Sequence, residues 1–200
     1  MSAMWPLFAS IVTFAVSMSI SPGPNNLMVT ASGANFGFLR TVPHMLGVSF
    51  GFPAMLLAVG LGLGQALAAW PQVHEVLRYV AAAYLLYLAW RIATAGGPGN
   101  PEARSRPFSF LQAALFQWVN PKAWVIALSA VATYTTVEED ALVQILVIGG
   151  VFVVAAFLSL CLWAAFGTLI AGVLTSPRAL RAFNLFMAAL LVLSLVPVFV

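Results

Sequence analysis

At 200 residues, with 62% of them hydrophobic and only 6% charged, this chain cannot cover a water-facing globule. A soluble domain carries roughly 25% charged residues, so most of this surface must face lipid. The net charge of +3 comes from 8 Lys+Arg against 5 Asp+Glu, scattered without a basic stripe, and implies no nucleic-acid partner.

A helix needs about 20 apolar residues to cross a bilayer core, and six segments of that kind follow one another. The first covers about residues 5–34 and is interrupted by Ser21-Pro22-Gly23-Pro24-Asn25-Asn26. No basic residues precede it and no Ala-x-Ala pattern follows, so an uncleaved first span is expected. Pro22 and Pro24 lack amide protons, and Gly23 permits backbone angles closed to other residues. Carbonyls about one turn earlier lose their partners and, in lipid, need protein, water or ligand to satisfy them. Asn25 and Asn26 stand where the helix resumes. A helix start there presents free N–H groups and a positive dipole end, suited to a carboxylate. A proline kink repaired by Ser17, Ser19 and Ser21 would be the structural alternative.

The second segment, about 41–69, carries Pro43 and Pro53 as candidate kinks. Gly33 and Gly37, Gly47 and Gly51, and Gly60 and Gly64 are each four residues apart, a spacing that lets helix backbones approach closely in lipid. These pairs would allow a homodimer without requiring one. The third segment, about 76–93, carries Tyr84, Tyr87 and Trp90, read as packing or an aromatic belt rather than a path. Gly96-Gly97-Pro98-Gly99-Asn100-Pro101 then forms a breaker cluster at the centre of the chain.

The fourth segment, about 108–134, is broken by Asn120-Pro121-Lys122, with Gln112 and Gln117 ahead of it. An ionisable residue at mid-membrane is a functional candidate by default. The Lys122 ammonium could pair with a substrate carboxylate or carry a proton; the alternative is a lysine reaching for the membrane surface. The fifth segment, about 142–173, holds the lone Cys161, which provides no disulfide or thiol chemistry. The sixth covers about 182–200.

Two proline breaks about half a chain apart suggest an all-α integral membrane protein of six transmembrane helices. Its two inverted three-helix repeats would be residues 1–97 and 98–200, with the first and fourth helices broken. Arg40, Arg91, Arg104, Arg106, Arg178 and Arg181 fall in the odd-numbered loops, which the positive-inside rule assigns to the cytoplasm. The acidic Glu138-Glu139-Asp140 loop and the mixed loop with Glu75 and Arg78 would then face outward. No Asp or Glu lies within a span, so neither a metal site nor a cofactor is expected. His44 and His74 are placed at span ends as structural residues. No nucleophile–base pair or phosphate loop is present to suggest an enzyme.

At these residues the chain resembles the LysE/RhtB-type amino-acid exporters. The opening motif at residues 21–26 with the glycines after it, Ala83-Tyr84-Leu85-Leu86-Tyr87-Leu88-Ala89-Trp90-Arg91, and Phe116-Gln117-Trp118-Val119-Asn120-Pro121-Lys122-Ala123 carry the resemblance. It implies a multi-pass protein of the bacterial inner membrane that exports amino acids or close derivatives, driven by an ion gradient, with the proton as the expected coupling ion. The absence of membrane carboxylates disfavours a cationic side chain and favours neutral or small polar amino acids or acylated derivatives. The expected substrate-binding residues are Pro22, Gly23, Pro24, Asn25, Asn26, Gln117, Asn120, Pro121 and Lys122. A non-transporting membrane scaffold, or less readily a metal-ion exporter, would be the competing classes.

Overall fold

The computed structural model describes residues 4–95, 106–136, 140–174 and 176–199, and every regular element among them is helical. α1 (Met4–Ile20) and α2 (Pro24–Phe36) form one apolar segment bent by 54° at residues 21–23. α3 (Phe38–Ala58) passes through a π-helical stretch (Val59–Leu63) into α4 (Gly64–Ala69), and α5 is Pro71–Ala93. α6 (Phe110–Phe116) tightens into a 3-10 turn (Gln117–Val119), and α7 (Pro121–Tyr134) resumes after Asn120. α8 (Ala141–Val173), α9 (Pro177–Leu193) and the short α10 (Val196–Phe199) follow.

Prolines start the helices. Pro24, Pro71, Pro121 and Pro177 stand in the first turns of α2, α5, α7 and α9, where a missing N–H costs nothing and the fixed φ suits the helix. α6, α8 and α9 are also capped by side chains. Ser109 and Gln112 form a reciprocal capping box, Asp140 accepts from the Leu142 amide, and Ser176 accepts from the Ala179 amide. α2 and α7 begin behind Gly23 and Asn120 with no side-chain cap.

Among the described residues, three helical stretches, Phe38–Ala66, Glu75–Ala93 and Ala141–Val173, are long and apolar enough to cross a membrane; the bent α1–α2 pair makes a fourth, and Phe110–Val119 is a shorter apolar helix. α8, at 33 residues, is about 50 Å long, well beyond the ~30 Å hydrocarbon core. It is apolar all round. Ile145, Ile148, Phe152, Ala155, Ala156, Ser159 and Ala164 are buried at helical spacing, whereas Leu158, Leu162, Phe166 and Leu169 are exposed on the other side. An apolar face of that extent is a lipid-facing surface.

α8 packs along α1, α2 and α3, while α3 also meets α6, and α5 meets α9. Helices from both halves of the chain therefore pack together in each of three buried clusters. Contact with α8 needs glycine on both sides: a Cβ on Gly33 would strike the Ala164 carbonyl, and one on Gly167 would strike the Thr30 carbonyl. Gly47 and Gly51 let α3 lie against Phe110 and Ala114 of α6 in the same way.

Several sequence expectations are corrected. Gly37 does not pack against a helix; it ends α2 with φ +82°, a conformation that favours glycine. α3 continues through Pro43 and Pro53, and the departure from α geometry comes after them, at Gly62 with φ +112°. α5 begins at Pro71, so Glu75 and Arg78 lie on a helix, not in a loop. His44, expected at a span end, sits in the second turn of α3 at 1% exposure. The cluster at residues 96–101, together with Glu102, Arg104, Glu138 and Glu139, lies outside the described residues.

Candidate functional site

Pro22 and Pro24 strand the carbonyls at the end of α1, and side chains from three other helices take them up. Asn26 Nδ2 donates to Ser19 O and Ser21 O, both at 2.9 Å. Ser159 of α8 donates to Ser19 O at 2.8 Å, and the indole of Trp163 donates to Ile20 O at 3.3 Å. Lys122 Nζ of α7 donates to Ser21 O and Ser21 Oγ at 2.7 Å and to Pro22 O at 3.3 Å. The bend is thus held from outside, which satisfies the requirement for buried backbone groups in lipid. Of the three serines named above as repairing a proline kink, Ser21 takes part through its Oγ, which donates to Met18 O at 2.9 Å.

Lys122 spans the two breaks. All three of its acceptors are neutral oxygens of the first break. The sole ion pair among the described residues is the exposed Arg78–Glu75 contact at 3.9 Å. Gly23 makes room for the lysine: a Cβ there would lie 2.8 Å from Lys122 Cδ.

Asn25 and Gln117 form a reciprocal amide pair. Asn25 Nδ2 donates to Gln117 Oε1 at 2.8 Å, and Gln117 Nε2 donates back to Asn25 Oδ1 at 3.2 Å and to Ala113 O at 2.8 Å. Gln117 is fully buried, and Asn120, at 2% exposure, keeps a buried Oδ1 with no hydrogen-bond partner. Such an orphan acceptor is unusual in a folded protein and calls for an explanation.

These groups line a central cavity of about 60 Å³, walled by Gly23, Pro24, Asn25 and Asn26 from the first break and by Gln117, Asn120 and Lys122 from the second. The N-termini of α2 and α7 both open onto it. Their first N–H groups have no partner within the helix, and the aligned peptide dipoles make the cavity electropositive beyond the charge of Lys122. Apolar residues, among them Phe52, Phe152 and Leu160, close the remaining wall. An arrangement of one ammonium, two helix N-termini and one free amide oxygen is complementary to a zwitterion.

A second, larger cavity of about 580 Å³ meets the first at Gly23, Pro24 and Lys122 and extends to Leu77, Arg78 and Ala81 near the start of α5, with Trp118, Trp124 and Leu128 on its flank. A third, of about 50 Å³, lies at the opposite end of α2, beside Asn35, His44, Arg91 and Arg106.

Of the nine residues expected from the sequence, the structure brings Gly23, Pro24, Asn25, Asn26, Gln117, Asn120 and Lys122 onto the central cavity, while Pro22 and Pro121 line only the larger one. Tyr87 and Trp90 face outward, and Tyr84 stacks on Phe116. Gln112 completes its own helix cap. Sequence reasoning missed Ser159 and Trp163, which are polar positions in a long apolar run, and their spacing of four residues was the available signal.

The family model for LysE type translocators matches residues 16–196. The chain is 30% identical over 199 residues to the cysteine/O-acetylserine efflux proteins of Salmonella choleraesuis and Salmonella typhimurium, covering 96% of this chain and 97% of each relative. It is 29% identical over 196 residues to the protein of the same description from Escherichia coli, again covering 96% of this chain and 97% of the relative. No solved structure matches. Spanning both breaks and all the long apolar helices, the match makes this chain a member of the LysE type translocator family, a membrane carrier and not an enzyme.

Proposed function

We propose that the chain is a secondary exporter of amino acids, moving neutral or small polar amino acids or their O-acyl derivatives outward across a bacterial inner membrane. The observation that carries this reading is the Lys122 ammonium. It is held in the membrane by neutral oxygens alone, beside two uncapped helix starts. A desolvated cation without a counter-charge is costly, and a substrate carboxylate supplies the missing charge. Asn120 Oδ1 is then the acceptor for the substrate ammonium. The described helices offer no membrane carboxylate to receive a second positive charge, which favours a neutral side chain. The relatives' names, cysteine/O-acetylserine efflux protein, support the same class.

In this reading the chain forms six spans as two inverted repeats, residues 1–97 and 98–200, within a single membrane domain; a homodimer would use other faces, because the spaced glycines other than Gly37 pack within the chain. Arg91 and Arg106 mark the cytoplasmic side under the positive-inside rule. The large cavity then opens outward and reaches Lys122, while the Asn25–Gln117 pair closes the way in. Neutral amide pairs contribute only about 1 kcal/mol each, so such a closure can break and re-form as the halves rock. An ion gradient, with the proton as the coupling ion, drives the cycle.

The test is an untargeted mass-spectrometric profile of the medium from cells expressing the chain, beside cells expressing Asn25→Ala and Lys122→Ala. Accumulation of one or a few amino acids, lost in both variants, supports export and names the substrate. An unchanged profile with the protein present in the membrane overturns it.

A further inference from the structure

The cavity at the far end of α2 repeats the design of the central one. Asn35 lies ten residues after Asn25, about 15 Å along the same helix. Like Asn25, it enters a reciprocal amide pair with a residue from the other half of the chain. Asn35 Nδ2 donates to Asn184 Oδ1 at 2.7 Å, and Asn184 Nδ2 donates to Asn35 Oδ1 at 3.0 Å and to Ala95 O at 2.8 Å. Like the central cavity, it holds a buried polar side chain without a partner: neither ring nitrogen of His44 makes a hydrogen bond, although the residue is 1% exposed.

Cationic groups again stand beside the orphan. Arg91 and Arg106 line the cavity with His44, and among the described residues no acidic side chain does. Arg91 is fixed in place: its guanidinium lies 5.5 Å from the centroid of the Phe108 ring and donates through Nη2 to Arg106 O at 3.2 Å. Phe108 in turn stacks on His44, with ring centroids 5.2 Å apart. Arginine, aromatic ring and histidine thus form one layer across the cavity. A volume of about 50 Å³ holds roughly four water-sized probes, which suits a carboxylate head but not a whole bulky side chain.

We infer that this cavity is a second carboxylate-binding site, in which Arg91 and Arg106 hold the carboxylate and His44 hydrogen-bonds to the bound molecule before it passes along α2 to Lys122. The inference rests on the export reading for its biological purpose, but the binding it asserts stands or falls separately. Planar guanidinium forks match a carboxylate in two-point geometry. Lys122, a single ammonium, gives a weaker geometric constraint and suits release. Loading at the arginines and hand-over to the lysine would then run in the direction of export.

The test uses the full chain purified in detergent, with radiolabelled acetate as the probe, because acetate carries only the group the cavity recognises. In the Lys122→Ala background, which removes the central cation, saturable acetate binding is expected to remain and to resist competition by acetamide. Adding Arg91→Gln and Arg106→Gln should weaken it at least tenfold. His44→Phe, which keeps the stacked ring and removes both nitrogens, should weaken it a few-fold. Arg106 is exposed, so Arg106→Gln alone, expected to cost about threefold, gives an answer even where the combined variant fails to fold. Absence of saturable binding in the Lys122→Ala protein, or binding indifferent to both arginines, overturns the inference. Export is scored separately: acetate binding of this pattern in a chain that releases no amino acid upholds the site and sinks the export reading, whereas Lys122-dependent export without arginine-dependent acetate binding does the reverse.

Discussion

The two breaks share a proline at the start of the resuming helix but differ in how their polar groups are partnered. At the first break, the stranded carbonyls of residues 19 to 22 are all taken up, by Asn26, Ser159, Trp163 and Lys122. At the second, Asn120 begins α7 without a side-chain cap and keeps an orphan oxygen. In the proposed reading the first break is mainly scaffold, with Asn25 and the start of α2 facing the cavity, and the second is where an unpartnered side-chain acceptor remains, with Lys122 joining them. A polar interruption in a membrane helix is not by itself a site; what distinguishes one is the polar group left over once the backbone has been satisfied.

That contrast can be broken most directly at Lys122. Truncating one partner of a buried charge pair costs about 2–5 kcal/mol, so Lys122→Ala should lower transport at limiting substrate roughly 30-fold or more while leaving the protein inserted in the membrane, as read by efflux rate against membrane abundance. Asn26→Ala should act on stability instead. It removes two hydrogen bonds, although Ser19 O keeps Ser159 and Ser21 O keeps Lys122 as donors, and should cost about 1–3 kcal/mol at about 0.5–1.5 kcal/mol per bond, measured as a lower Tm of the purified chain. A stability like that of the wild type would contradict the scaffold role of the first break. Asn120→Ala should do the opposite: transport falls about tenfold or more through one lost hydrogen bond to the charged substrate ammonium, and Tm holds or rises because no existing side-chain bond is removed. The smallest effect is expected from Gly23→Ala. Gly23 has extended backbone angles, which alanine tolerates, and the new methyl need only displace the flexible Lys122 chain. Transport should fall about two- to threefold with an unchanged Tm.

The apolar segments and both breaks were legible in the sequence because hydropathy and proline act locally. Span ends were less so: α5 extends back to Pro71 because that proline can open a helix, a possibility that hydropathy alone does not weigh. The roles of Asn25 and Asn26 were not separable, since adjacent helical residues point about 100° apart and only tertiary packing decides which faces what. One meets Gln117 of the second break; the other turns back to the end of α1. The burial of His44 was not legible for a related reason: nothing local reveals that Phe108, 64 residues later, packs on it. The glycine spacings marked close approach correctly at Gly47 and Gly51 but could not distinguish packing from helix ending at Gly37, where the backbone angle is decisive.

The central claim is that Lys122 supplies the counter-charge for the substrate. It is tested most directly by uptake of radiolabelled O-acetyl-L-serine and L-cysteine into inside-out vesicles containing the wild type or Lys122→Ala at equal abundance. The account predicts saturable uptake by the wild type and a loss of roughly 30-fold or more in the variant. Uptake by Lys122→Ala within twofold of the wild type would contradict it.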